Sequence, residues 1–134
     1  MGSERTGRIL IVEDEVSIRT LLADVLRGEG YAVTEAVNGL DALRVLGQER
    51  PDAIVLDVMM PMMDGPTFAR ACHAQSRTRP IPILLVSASP KLWQTAECLR
   101  RYGVRGFVAK PFDLNILVDA VAGLAEPTRV LATV

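Results

Sequence analysis

The sequence predicts an α/β fold, a doubly wound sheet of five parallel strands. Three observations predict it. Five short apolar runs recur along the 134 residues, at 9–12, 32–36, 53–56, 83–86 and 106–109. Four of the five are continuous rather than alternating, the pattern of parallel strands covered on both faces. Between the runs lie segments with helical spacing, joined by short loops, so the chain reads as five β/α units.

Each element has its own signal. After the first run, Ile18, Leu21, Leu22, Val25 and Leu26 form a stripe at i, i+3, i+4, i+7 and i+8, and Gly28 and Gly30 end that helix. The second run, within YAVTEA, alternates and is the candidate edge strand. Leu40, Leu43 and Leu46 mark the helix after it, stopped before Pro51. The third run leads into IVLDVMMPMMDG, and Pro66 suits the first turn of a third helix passing through Phe68 and Ala71 to about Ser76. Pro90 opens a fourth, through Leu92, Ala96 and Leu99, closed by Gly103. Asp113 caps a fifth, carrying Leu117, Val118, Val121 and Leu124, and Pro127 stops it.

Composition bounds the rest. A chain of this length fits one domain and buries roughly two-thirds of its unfolded surface. With 49% hydrophobic and 23% charged residues it is not a disordered chain. Fifteen Lys and Arg against 16 Asp and Glu leave a formal charge of -1, so no overall basic field draws it to nucleic acid or membrane. Cys72, Cys98 and the single histidine, His73, have no zinc spacing. They read as two buried thiols in a reducing cytosol and a surface histidine without a role. No apolar stretch reaches membrane-spanning length, and the start, MGSERTG, lacks a signal peptide's apolar core. The expected layout is a flexible start at 1–7, a folded domain at 8–125 and a tail at 126–134, in the cytoplasm.

In an open α/β sheet the functional crevice lies outside the carboxyl ends of the strands. Glu13, Asp14 and Glu15 follow the first run, Asp57 the third, Ser87 the fourth and Lys110 the fifth. Glu13, Asp14 and Asp57 crowded there repel one another unless a hard cation sits among them, and Mg²⁺ takes carboxylate, water and phosphate oxygens. A carboxylate beside Mg²⁺ can act as nucleophile toward phosphorus, with lysine and a hydroxyl steadying the transferring group. Each residue has a plain alternative. The acids of EDE suit a helix N-terminus, which is the reading preferred for Glu15. Asp57 and Asp64 suit turns, the reading preferred for Asp64 in DG. Lys110 suits an ordinary surface and Ser87 a strand end. Four separate strand ends carrying this set together argue for chemistry.

The motifs ILIVEDE at 9–15, DAIVLDVMMPMMDG at 52–65, PILLVSAS at 82–89 and GFVAKPF at 106–112 resemble, in order and spacing, the receiver domain of bacterial two-component response regulators. The resemblance spans about residues 8–124. It implies a flavodoxin-like (βα)5 fold with strand order 2-1-3-4-5. It implies Asp57 as phosphoacceptor, fed by a histidine kinase or a histidine phosphotransfer protein. Mg²⁺ would be held by Asp14, Asp57 and the Met59 backbone carbonyl, with Glu13 acting through a bound water. Lys110 would pair with the phosphoryl group beside a cis Lys110–Pro111 bond, and Ser87 and Phe107 would form the switch. Output would run through protein contact on the face of the fourth helix, fifth strand and fifth helix. Trp93 there reads either as an exposed aromatic or as a packing residue. Neither nucleic acid nor membrane is an expected partner, and the domain signals rather than turning over substrate.

Three rivals remain in view. A haloacid-dehalogenase-like phosphatase wants a second acid two residues after its nucleophile, where Met59 stands. A flavodoxin wants hydroxyl and glycine residues after the first strand, where EDE would repel the FMN phosphate. A non-phosphorylated pseudo-receiver scaffold would not need the intact acid set, Ser87 and Lys110. Whether the chain is a stand-alone receiver or part of a longer regulator or hybrid kinase stays open.

Overall fold

The computed structural model describes residues 7–126. The start expected at 1–7 and the tail expected at 126–134 lie outside the described residues, save for Gly7 and Glu126. The elements are β1 (Arg8–Val12), α1 (Val16–Gly28), β2 (Ala32–Ala36), α2 (Gly39–Leu46), β3 (Ala53–Asp57), α3 (Gly65–Ala74), β4 (Ile83–Ser87), α4 (Leu92–Cys98), β5 (Val104–Ala109) and α5 (Leu114–Ala125). A single 3₁₀ turn, Arg100–Tyr102, links α4 to β5. All strand pairs are parallel, in the order β2-β1-β3-β4-β5.

Alternate residues of each central strand enter different cores. Leu10, Val12, Ile54, Leu56, Ile83 and Leu85 pack with Phe68, Ala69 and Leu92 from α3 and α4. Ile9, Ile11, Val55, Leu84 and Val86 pack with Leu22 and Leu26 of α1 and Leu117 and Val121 of α5. Burial on both faces is why the central strands read as unbroken apolar runs.

Several details differ from the sequence expectation. The stripe of α1 buries Leu22, Ala23 and Leu26, while Leu21 is exposed. In α2 the buried face is Ala42, Val45 and Leu46, and Leu40 faces water. Leucine is common on both faces of a helix, so a run of leucines fixed the helix but not its rotation. The third helix ends at Ala74 and the fourth begins at Leu92, each about two residues inside the expected span. β5 alternates: Val104 and Val108 are buried while Arg105, Phe107 and Ala109 are exposed. It is the second edge of the sheet, opposite β2, and so has less cover.

Cys72 is buried but Cys98 is exposed, so the expectation of two buried thiols holds for only one. Burial pushes the Cys72 thiol up to about 12, which leaves it protonated and inert. His73 is half-buried and meets the Tyr102 ring edge-on at 5.5 Å, a packing part that the reading as a surface residue missed.

Candidate functional site

Strand register assembles the site. Val12 pairs with Leu56, so the next residues, Glu13 and Asp57, emerge side by side. Asp57 pairs with Val86, and Ser87 pairs with Ala109. The Lys110 N–H donates to the Ser87 carbonyl at 2.8 Å, extending the ladder one residue past β5. Four strand ends thus deliver an acid, an acid, a hydroxyl and an ammonium to one edge.

The side chains converge. One oxygen from each of Glu13, Asp14 and Asp57 lies within 4.8 Å of the others. Lys110 Nζ sits 3.0 Å from Glu13 Oε1 and 3.6 Å from Asp57 Oδ1. Glu13 Oε2 also accepts from the Glu15 N–H at 3.2 Å, and the Met59 N–H points at Asp57 Oδ1 from 3.4 Å. Glu13 is 2% exposed and Asp57 6%, whereas Asp14 is open to solvent. One ammonium therefore faces two buried carboxylates and a third at the rim.

The electrostatics follow from that count. Burial raises the Glu13 carboxyl above its ordinary value; the Lys110 hydrogen bond opposes this, and the Asp57 charge adds to it. Burial raises Asp57 too, against the pull of Lys110. Desolvation would lower Lys110, but its hydrogen bond to Glu13 and the Asp57 charge outweigh it, and the ammonium is held above its usual value. Glu13 and Asp57, as neighbouring carboxylates, titrate as a pair. The protein keeps charge here at a cost in stability.

Ser87 is 1% exposed, and its Oγ accepts from the Ser89 N–H at 3.0 Å. Phe107 lies outward, 47% exposed, as does Trp93 at 57% on α4, which settles the open reading of Trp93 in favour of exposure. The Lys110–Pro111 bond is cis. Glu15 ends the loop before α1, with its backbone tied to Glu13 rather than its carboxylate joining the cluster. Asp64 is the N-cap of α3, its Oδ1 accepting from the Thr67 N–H at 2.9 Å. The next residue must be glycine: a Cβ on Gly65 would lie 2.9 Å from Val58 Cα and 3.0 Å from the Asp57 carbonyl oxygen. The loop after Asp57 is therefore folded tightly against the start of α3.

One neighbour of the site was not read from the sequence. Arg19 Nη1 donates to the Glu13 carbonyl at 2.9 Å. No sequence pattern marks it, because the partner is a backbone carbonyl rather than a side chain.

A (βα)5 sheet with acids, hydroxyl and lysine at its carboxyl edge defines a phosphoryl-signalling type of domain. The response regulator receiver domain family matches residues 9–122. The chain belongs to that family. It is 37% identical over 114 residues to sporulation initiation phosphotransferase F of Bacillus subtilis, covering 85% of this chain and 90% of that protein. It is 35% identical to response regulator MprA of Mycobacterium ulcerans over 91% of this chain, and it spans about half, 51%, of that relative's length. The receiver domain of the sensor histidine kinase PA1611 from Pseudomonas aeruginosa, solved with a magnesium ion in its active site cleft, superposes with a TM-score of 0.79 at 31% identity, covering 90% of this chain and 98% of that one. The chain is thus a receiver domain of two-component signalling. Among the described residues, no helix is long and apolar enough to cross a membrane.

Proposed function

We propose that Asp57 is the phosphoacceptor of this receiver. Its carboxylate oxygen attacks the phosphorus of a phosphohistidine on a histidine kinase or phosphotransfer protein. The P–N bond breaks, the imidazole leaves with the electron pair, and an acyl phosphate remains on Asp57. The observation that carries this reading is the Glu13–Lys110–Asp57 arrangement, with Nζ 3.0 and 3.6 Å from the two carboxylates. Lys110 can leave its shared position to pair with a phosphoryl oxygen. The Ser87 hydroxyl turns from the Ser89 N–H to donate to another, and Phe107 swings inward.

The donor set fits a hard divalent cation. It is all oxygen, three carboxylates in mutual reach carry more negative charge than Lys110 offsets, and no sulfur or imidazole is among them. Mg²⁺ would be held by Asp14, Asp57 and the Met59 carbonyl, with Glu13 acting through water. When bound, it neutralises charge on the acids and the transferring group. The domain takes up and slowly loses a phosphoryl group and does not turn over substrate.

Its output is protein contact in the cytoplasm, without nucleic acid or membrane. The proposed face is α4, β5 and α5. A groove of about 600 Å³ there is lined by Glu97, Arg100, Arg101, Arg105 and Phe107, so an inward turn of Phe107 would reshape it.

Intact-mass spectrometry with acetyl phosphate tests the assignment. The expected result is one phosphoryl adduct with Mg²⁺, none in EDTA and none on Asp57→Ala. A full adduct on Asp57→Ala would refute it. For the output face, amide exchange with and without beryllofluoride should change in α4, β5 and α5; changes confined to α1 and α2 would refute that face.

A further inference from the structure

We propose that Arg19 is a positioning residue for the cation-binding acids, acting through the backbone of Glu13 and Asp14 rather than through their carboxylates. The inference rests on reading the acid cluster as a divalent-cation site.

The Arg19 guanidinium is clamped from two sides. Nη1 donates to the Glu13 carbonyl at 2.9 Å and lies 3.5 Å from the Asp14 carbonyl. Nε faces Glu35 Oε1 on the edge strand β2 at 3.3 Å. Glu35 is itself held by Arg27 at 3.3 Å. The Arg19 side chain is only 14% exposed, so this is not a loose surface pair. A planar fork with fixed donors suits such a bridge, and a lysine would lack its second arm.

The two acids depend on that bridge unequally. Every polar atom of Glu13 has a partner: its N–H donates to the Ala36 carbonyl at 3.1 Å, and its two carboxylate oxygens meet Lys110 and the Glu15 N–H. The Asp14 carboxylate has no hydrogen bond among the described residues, and the residue is exposed. Its direction is therefore set by the backbone that carries it. Arg19 fixes the peptide joining Glu13 to Asp14, by holding the carbonyl of that peptide. Remove the guanidinium, and Glu13 keeps its side-chain anchors while Asp14 loses what aims it.

Residues that orient a ligand without touching the metal commonly change metal affinity by about tenfold or more when removed. Isothermal titration with Mg²⁺, beside melting in EDTA, tests this on the full chain. Arg19→Ala should bind Mg²⁺ about tenfold more weakly. Its phosphoryl uptake should return to the wild-type level at saturating Mg²⁺, because Asp57 and Lys110 are untouched. Arg19→Lys, which keeps a donor for the carbonyl, should recover part of the affinity, and Glu35→Gln should lose part of it. Thr34→Ala, on the same strand, is the control for general destabilisation. Arg19→Ala with wild-type Mg²⁺ affinity would overturn the proposal. So would an affinity loss no larger than that of Thr34→Ala at equal loss of melting temperature, which would make Arg19 a structural residue only. A wild-type chain that bound no Mg²⁺ would instead overturn the cation site itself.

Discussion

Leu56 and Asp57 are consecutive residues of β3, both almost fully buried, and they act in opposite directions. Leu56 is 0% exposed in the core between the sheet and helices α2 to α4. Asp57 is 6% exposed among like charges, with its carboxyl pushed up by burial. One residue removes apolar surface from water; the next holds a charge where water is scarce. The stability of this domain lies in the strand bodies, and its chemistry lies one residue beyond them. The lower layer makes the upper one tenable, because a rigid strand fixes the acid despite the repulsion around it.

The largest expected effect is in the lower layer. Leu56→Ala should cost about 2–5 kcal/mol by chemical denaturation. The fraction that stays folded should still take up phosphate, since no group at the carboxyl edge changes. If the folded fraction lost phosphoryl uptake as well, strand body and strand end would not be separable in this way.

The next effect belongs to the upper layer. Mg²⁺ binds a cluster that only the folded chain assembles, so it should raise the melting temperature. At a concentration of a hundred times its Kd, binding stabilises by about 2.7 kcal/mol. Asp57→Asn should blunt this gain. An equal rise in Asp57→Asn would place the cation elsewhere.

The layers also differ in how plainly the sequence reveals them. The central strands were legible because burial on both faces leaves an unbroken apolar run. β5 was less so: its edge position exposes Arg105 and Phe107, and its run is short, with the small residues Gly106 and Ala109 on either side of Phe107 and Val108. The rotation of α1 and α2 escaped because Leu21 and Leu40 are leucines on the wet side. At the site, the acids, Ser87 and Lys110 were legible as strand-end residues. Arg19 was not, because its partner is a backbone carbonyl, which every residue carries and no pattern marks.

Removing the like charge without Mg²⁺ should show the cost of the site directly. In EDTA at neutral pH, Asp57→Asn should melt above the wild type. The folded carboxyl of Asp57 is raised, so well below the ordinary carboxylate value both states carry the proton and nothing is lost. As pH rises from the ordinary toward the raised value, the unfolded chain gives up its proton while the folded one keeps it, so stability falls. The loss is complete once pH has passed the raised value. The advantage of Asp57→Asn should therefore grow as pH rises above the ordinary carboxylate value and fade as pH is lowered toward it. Asp41 and Asp64 have lowered carboxyls and slope the other way, but equally in both proteins. A variant that melted lower than wild type in EDTA would show that burying the Asp57 charge is not what costs the site stability.

The smallest expected effect concerns how long the phosphoryl group would survive. Hydrolysis of an acyl phosphate needs a water in line behind phosphorus, and Met59 and Ser89 follow Asp57 and Ser87 by two residues each. Met59 is 69% exposed, so it is free to lie over the site, and its thioether is too weak an acceptor to orient an attacking water. Ser89 works the other way, since its hydroxyl can hold a water. That hydroxyl, however, already accepts from the Lys91 N–H at 3.1 Å, which ties it to the start of α4. Met59 sits on the loop of Asp57 itself, with its N–H aimed at the carboxylate, so its influence should dominate. Met59→Asn, which supplies a donor and an acceptor at that position, should shorten the lifetime of the phosphorylated state a few-fold, measured as phosphate release after the donor is removed. Because the side chain is exposed, the substitution should leave the melting temperature in EDTA nearly unchanged. A release rate unchanged or slowed in Met59→Asn would mean that solvent reaches the phosphorus by a path that this side chain does not control.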